Sequence, residues 1–183
     1  MNDKQQQVES FPWHIWEEHQ GLQRFHSTVG RPGRTISGRL LPGCDMLLGM
    51  IDMAKSHTIR SAWVSAFGSL ARAEFSPGIR ISETNSDRVE RRPNVYLPGP
   101  LEMWSGMGRL GIPDTGEPFI HFHGLVATPE GKLYGGHFFP GESIVYATFE
   151  VHIQEILGVE FTYELDEVVE IPLIKPKGRP ERF

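Results

Sequence analysis

Three of the chain's eight histidines lie in one segment, residues 118–140, and together could bind a metal ion. His121 and His123 are separated by one residue, and His137 follows further along the segment. Three neutral imidazole nitrogens can hold one ion and leave a fourth position for water or substrate. Zinc is the first candidate, because imidazole suits it and the segment offers no thiolate. The alternative is that these are ordinary sheet histidines with unrelated hydrogen bonds.

The residues around the histidines predict a β-hairpin. Residues 119–128 are rich in aromatic and β-branched types and are typical of a strand. Pro129, Glu130 and Gly131 fit a three-residue loop in which proline begins a type I turn and glycine takes the left-handed position. Residues 132–139 are then expected to form the returning strand.

The register of this hairpin decides whether the three imidazoles meet. If Thr128 faces Lys132 across the loop, His123 lies opposite His137. His121 leaves the same face of the sheet as His123, because side chains two residues apart share a face. Cross-strand neighbours are about 5 Å apart and same-strand neighbours about 7 Å, so one ion could reach all three. A slip of one residue would turn His137 to the other face.

A catalytic metal site would need a carboxylate near the ion as a general base. Glu102 and Glu150 are the nearest candidates by strand assignment. Gly135 and Gly136, beside His137, are expected to leave room for an ion and its waters. The substrate is left open, and a structural or sensory site fits the same residues.

Length and composition indicate one globular domain with extensions. The chain has 183 residues, 39% of them hydrophobic and 22% charged, with a net charge of −5. This acidity disfavours binding to a phosphate backbone. The single cysteine excludes an internal disulfide, so a reducing cytoplasm is the expected location. We see no apolar run of membrane-spanning length and no signal peptide.

The remaining periodicity predicts an α+β fold, a mainly antiparallel sheet flanked by one or two helices. Helical spacing of apolar residues runs from Asp45 to about Ser56. A bulge is expected at Gly68-Ser69, where the strand pattern is interrupted. The predicted strands cover residues 35–41, 59–75, 101–110, 119–128, 132–139, 142–156 and 159–164.

We divide the chain into a domain with two extensions. Residues 1–30 are an N-terminal extension with an aromatic arm, Phe11 to Trp16, expected to dock on the domain or on a neighbouring subunit. Residues 31–174 are the domain, with an irregular excursion over 77–100 whose charged run, 87–92, fits a solvated loop. Residues 175–183 are a basic Pro/Gly tail.

Two basic segments favour contact with DNA. Residues 29–34 are predicted to form a basic turn containing Arg31 and Arg34. In the tail, Lys177, Gly178, Arg179 and Pro180 resemble the core of an AT-hook, which lays basic side chains into the minor groove of A·T-rich DNA. The alternative for the tail is a disordered, solubilising terminus.

The residues of the predicted histidine hairpin resemble a known family. The pattern His121-x-His123, then Glu130-Gly131, then Gly135-Gly136-His137 is similar to the core of the plants-and-prokaryotes conserved (PPC) domain. The similarity extends to the segments Gly38–Asp45 and Ala62–Leu70 and covers roughly residues 35–174, most weakly over 77–100. It implies a stand-alone bacterial or archaeal member, a homotrimer with an antiparallel sheet and a three-histidine metal site. The family is often labelled as DNA-binding.

Three functions therefore compete. The first is a trimeric protein that binds a metal through His121, His123 and His137, with enzymatic activity on an unknown small molecule left open. The second is a DNA-associated regulator that uses its tail; the net charge and the lack of a helix-turn-helix pattern argue against it. The third is a scaffold whose trimer surface and aromatic arm bind another protein.

Overall fold

The computed structural model describes residues 25–81, 89–114, 116–166 and 171–179, which form one helix and ten strands. The predicted α+β class with a mainly antiparallel sheet is confirmed. The aromatic arm, Phe11 to Trp16, lies outside the described residues. The elements are β1 (Arg31–Leu40), α1 (Met46–Ser56), β2 (Ser61–Ser76), β3 (Ile79–Ile81), β4 (Val89–Arg91), β5 (Val95–Gly111), β6 (Phe119–Ala127), β7 (Leu133–Phe138), β8 (Ile144–Leu157), β9 (Val159–Leu165) and β10 (Pro172–Gly178).

Six strands form one antiparallel sheet in the order β1-β8-β2-β5-β6-β7. The last residues of β2 also pair with β7, with Phe75 opposite Phe138 and Ser76 opposite His137. Strands β2, β5, β6 and β7 therefore form a closed ring at this end of the sheet. Register shifts around Gly68 in β2 confirm the predicted bulge there. Strand β9 pairs with β10, and β3 with β4.

The core is built from apolar side chains of the sheet and the helix. Phe75, Phe122, Phe138 and Phe149 are fully buried, and the rings of Phe75 and Phe138 lie 5.1 Å apart. Each such side chain contributes roughly 1.5–3 kcal/mol through removal from water. Helix α1 adds its apolar face to the same cluster, namely Met46, Leu47, Met50, Ile51 and Ala54.

Asp45 fixes the start of α1. Its Oδ1 accepts hydrogen bonds from the backbone N–H groups of Leu47 and Leu48, at 3.0 and 2.9 Å. Its Oδ2 accepts from the N–H groups of Gly141 and Ser143, in the segment that follows β7. One carboxylate therefore caps the helix and ties it to the histidine hairpin.

The structure corrects two expectations in the first half of the chain. Residues 31–34 are not a basic turn; they belong to β1, where Arg34 binds the carboxylate of Glu155 on β8. Residues 77–100, the predicted excursion, are extended in part, since they contain β3, β4 and the first part of β5. Strand β5 begins at Val95 rather than near Leu101, since its long antiparallel partner β2 continues to Ser76.

The C-terminal segment also differs from the predicted tail. Lys175 to Gly178 lie in β10, paired with residues 159–162 of β9. The backbone hydrogen bonds of this pair order a segment that composition alone suggested to be disordered.

In the part of the chain that the structure describes, no helix has the length and apolar character needed to cross a membrane.

Candidate metal centre

The predicted hairpin forms with the predicted register. The N–H of Gly131 donates to the carbonyl oxygen of Thr128 at 2.8 Å, and the N–H of Thr128 donates to that of Lys132 at 2.9 Å. Gly131 has a φ of +77°, the left-handed conformation that the loop requires. His123 lies opposite His137 as a consequence.

The three imidazoles converge on one point. Ring centroids are 4.9 Å apart for His121 and His123, 4.6 Å for His121 and His137, and 5.1 Å for His123 and His137. Each ring offers one nitrogen that lies within 4.8 Å of the other two. The Nε2 atoms of His121 and His123 are 3.0 Å apart. No carboxylate or thiolate joins this group among the described residues.

All three imidazoles are held in the neutral form. Burial, the nearby His123 and two arginine charges lower the pKa of His121 to about 4. Burial, His121, Arg91 and His123 lower the pKa of His137 to about 3. Burial and the Arg91 charge also lower the pKa of His123. The rings are therefore uncharged at neutral pH, which is the form of histidine that binds a metal.

The donor set fits a tetrahedral metal with an open position. Two nitrogens at ~2 Å from a tetrahedral ion lie ~3.3 Å apart, close to the observed separation of the His121 and His123 Nε2 atoms. The Nδ1 of His121 is buried and has no hydrogen-bond partner within the described ranges. A metal-binding histidine usually donates the N–H of its second ring nitrogen to another group, so a water or another hydrogen-bond acceptor is expected at the Nδ1 of His121.

The two glycines beside His137 have a different role from the predicted one. A Cβ on Gly136 would lie 2.0 Å from the carbonyl oxygen of Ser76, and one on Gly135 would lie 2.7 Å from that of Gly124. These glycines therefore allow close approach of neighbouring backbones, rather than space for an ion. The contact with Ser76 is what closes the ring between β2 and β7.

The predicted general bases are not at the site. Glu102 pairs with Ala127, four residues along β6 from His123, which corresponds to ~13 Å at the rise of a strand. Glu150 is on β8, and β2 and β5 separate that strand from β6. Three strand spacings amount to ~14 Å. Both assignments were wrong, because the order of the strands in the sheet is not visible in the sequence.

Two arginines that the sequence analysis missed flank the histidines. Arg109 of β5 lies opposite His121 of β6. Arg91, at the end of β4, places its Cζ 5.0 Å from the centre of the Phe139 ring, which lies 4.6 Å from the His137 ring. Arg91 belongs to the charged run that is predicted to be a solvated loop, and no local pattern indicates its position beside Phe139.

Ser76 explains the position of Arg91. Its buried hydroxyl lies 3.1 Å from the carbonyl oxygens of Gly78 and Arg92, and the N–H of Arg92 donates to Gly78. Because Ser76 also pairs with His137, the end of β4 is held beside the imidazoles.

The residues of the proposed AT-hook are engaged within the fold. Lys177 forms an ion pair with Glu164 across the β9–β10 pair. Arg179 binds both carboxylate oxygens of Asp114, at 3.2 and 2.9 Å. Gly178 is the last residue of β10, and Pro180 lies outside the described residues.

Comparison with known proteins identifies related sequences. The family model of the Plants and Prokaryotes Conserved (PCC) domain matches residues 27–157. Two curated relatives from Synechococcus strains, both bifunctional protein GlmU, are 30% identical over 148 residues and 29% over 129. These matches cover 76% and 70% of this chain but only 21% and 18% of the relatives, so the chain spans about a fifth of their length.

Solved structures share the fold. A metal-containing protein from Archaeoglobus fulgidus is 24% identical with a TM-score of 0.68, over 83% of this chain and 99% of that one. A PPC protein from Pyrococcus horikoshii is 23% identical with a TM-score of 0.64, over 87% and 100%. A candidate DNA-binding protein from Ralstonia eutropha is 18% identical with a TM-score of 0.61, over 89% and 99%. At these identities the likeness concerns the fold alone.

Proposed function

The chain belongs to the Plants and Prokaryotes Conserved (PCC) domain family, and on that premise we propose that His121, His123 and His137 bind a divalent transition metal, zinc first, in an open site. The observation that carries this proposal is the convergence of three neutral imidazole nitrogens within 4.8 Å of one another. The description of the Archaeoglobus fulgidus relative as metal-containing supports it.

The donor set favours zinc over other ions. Three imidazoles without a carboxylate suit a borderline metal and do not suit Mg²⁺ or Ca²⁺, which prefer oxygen ligands. The only thiol of the chain, Cys44, precedes α1 and does not belong to the cluster.

A metal bound here would act as a Lewis acid or lower the pKa of a bound water. Two strand pairings hold the residues that would bind it. The hairpin places His123 opposite His137, and the pairing of β2 with β7 places Ser76 on the other side of His137. The open fourth position would allow an enzymatic role on a small molecule, the alternative to a structural or sensory site.

Metal analysis of protein purified without a nickel column tests the proposal. We expect about one zinc per chain in the wild type and less than a tenth of that in His121→Ala or His137→Ala, because two imidazoles hold zinc far more weakly than three. His152→Ala is the matched control, since His152 is an exposed histidine on β8. Metal-free wild type, or equal metal in His121→Ala, would rule the site out.

We further propose that the chain assembles as a homotrimer, the assembly that the resemblance to the PPC domain implies, through an exposed apolar surface. Large apolar side chains are exposed on neighbouring strands of the sheet, namely Trp63, Phe67, Trp104, Met107 and Leu125. Exposed apolar residues clustered in this way usually mark an interface.

DNA association is the alternative function, suggested by the description of the Ralstonia eutropha relative. The AT-hook residues Lys177 and Arg179 are already paired with carboxylates, and the chain carries a net charge of −5. An AT-hook works as an extended basic segment free to enter a minor groove, which residues paired in a strand are not. These contacts favour the metal site over the tail as the functional centre.

A further inference from the structure

From the arginines around the histidine cluster, we infer that the open position of this centre takes a small anion, a molecule carrying a carboxylate or phosphate group that Arg91 and Arg109 bind while it faces the metal. This inference rests on the proposed metal site and adds the class of its ligand. Three histidines alone would not discriminate between neutral and anionic ligands.

Strand pairing places Arg109 next to the histidine cluster. Its partner across β5 and β6 is His121, so the two side chains leave the same face of the sheet about 5 Å apart at their Cβ atoms. Its Cζ lies 5.7 Å from the Phe161 ring, and among the described residues no carboxylate forms an ion pair with it. The guanidinium therefore keeps its donors available.

Arg91 approaches the cluster from the other side. Its guanidinium lies over Phe139, and the Phe139 ring lies against His137. No carboxylate within the described ranges forms an ion pair with Arg91 either. By contrast, Arg34, Arg60, Arg80 and Arg179 each bind a carboxylate.

The charges at the site call for a negative ligand. A divalent ion would add two positive charges to two guanidinium groups, and among the described residues no carboxylate joins the cluster to balance them. Repulsion between these groups weakens metal binding unless an anion lies among them. A guanidinium presents paired N–H donors that match a carboxylate or a phosphate, so its geometry as well as its charge selects such a group.

A groove next to Arg109 has space for the rest of such a molecule, although none of the three histidines lines it. Arg109 lines a groove of about 590 Å³ that continues past Trp63 and Gln154 to Phe161. Trp63 lies opposite Arg109, and Gln154 lies opposite Trp63, so these side chains follow His121 in one row across the sheet.

A small molecule fits better than a nucleic acid. A duplex backbone presents a row of phosphates and is bound by many cationic groups, whereas this site offers two in a chain of net charge −5. His121 and His137 are half-buried, which suits a single inserted group more than a continuous strand.

The test uses the Co²⁺-loaded full chain, whose visible absorption bands report on the ligands of the ion. Inorganic phosphate and acetate are titrated separately, so that the two arms distinguish the preferred group. We expect a saturable change of the bands with at least one anion. Arg91→Ala and Arg109→Ala should keep one cobalt per chain but bind that anion about tenfold more weakly, the loss of a charge-assisted hydrogen bond. Arg109→Lys should recover part of the anion affinity, since lysine restores the positive charge but not the paired N–H donors of a guanidinium.

Arg39→Ala is the matched control, because Arg39 is an exposed arginine on β1, away from β6 and β7. Full anion affinity in both Arg91→Ala and Arg109→Ala would overturn the inference. So would a cobalt-loaded wild type that responds to neither anion, or one that responds only to a DNA duplex at 150 mM salt. A chain that binds no cobalt would overturn the metal centre and, with it, this inference.

Discussion

At the scale of single residues, the histidines combine two properties that usually conflict. They are buried enough to lose their affinity for protons, and yet they stay open enough to reach a ligand. The pKa of His121 falls to about 4 and that of His137 to about 3, mainly through burial. The fold therefore holds the neutral form that metal binding requires, and an acidic solution should oppose both the fold and the metal.

We predict that the metal-free protein loses stability as the pH falls from about 6.5 towards 4. The unfolded chain takes up protons at these histidines below the ordinary histidine pKa, whereas the folded chain does not until about pH 4 for His121 and about pH 3 for His137. Above pH 6.5 both states are neutral there and the effect vanishes. Thermal unfolding of the chelator-treated protein at several pH values measures it.

His137→Asn should lose less stability over this pH range than the wild type, because one proton-linked group is gone. His152→Asn, a change of an exposed histidine on β8, should behave as the wild type does. Equal slopes of melting temperature against pH in wild type and His137→Asn would contradict the argument.

At the scale of elements, the sequence predicts whatever a local pattern determines. The loop of Pro129, Glu130 and Gly131 fixes the hairpin register, and the register brings the histidines together. The helix begins one residue after Asp45, as its capping role requires. These features depend on residues a few positions apart, and physical rules for turns and caps apply to them directly.

What the sequence did not predict depends on pairing between distant segments. Arg109 lies opposite His121 because β5 and β6 pair. Arg91 lies near His137 because Ser76 of β2 pairs with His137 and its hydroxyl binds the carbonyl oxygen of the neighbouring Arg92. Glu102 and Glu150 lie away from the histidine cluster for the same reason. Strand order and bulges decide which side chains meet, and neither leaves a signature at any one position.

We predict that the C-terminal strand is part of the folded unit. Deleting residues 175–183 removes the half of β10 that pairs with residues 159–162 and uncovers the region of Val159 and Phe161, which are now 7% and 5% exposed. We expect the melting temperature to fall by about 5 °C or more. The double variant Lys177→Ala/Arg179→Ala removes one exposed and one partly exposed ion pair and should stay within about 2 °C of the wild type.

This pair of variants also separates DNA binding from folding. If the tail contacted DNA, the double variant would lose duplex binding at 150 mM salt with its melting temperature unchanged. We expect that the wild type does not bind duplex DNA at this salt concentration, so the double variant has no binding to lose. Unchanged stability of the deletion variant would show that β10 is dispensable and that our account of this segment is wrong.

At the scale of the whole molecule, the distribution of polar and apolar surface is uneven. Helix α1 packs into the core on one side of the sheet, while neighbouring strands expose Trp63 at 39%, Phe67 at 55% and Trp104 at 59%. Aromatic side chains that remain in water contribute no hydrophobic stabilisation to a single domain. Association of identical copies through these residues would bury them.

We predict that the chain is a trimer in solution, with a mass near three times its 20.7 kDa, or about 62 kDa, by light scattering at micromolar concentration. Phe67→Lys should dissociate it, because burying an unpaired ammonium at an interface costs more than the contact contributes. Leu48→Lys is the control, since Leu48 is 45% exposed on α1, away from the sheet surface. A monomeric wild type, or a trimer that survives Phe67→Lys, would refute the assignment. Because His121, His123 and His137 all come from one hairpin, the dissociated variant should still carry one metal per chain.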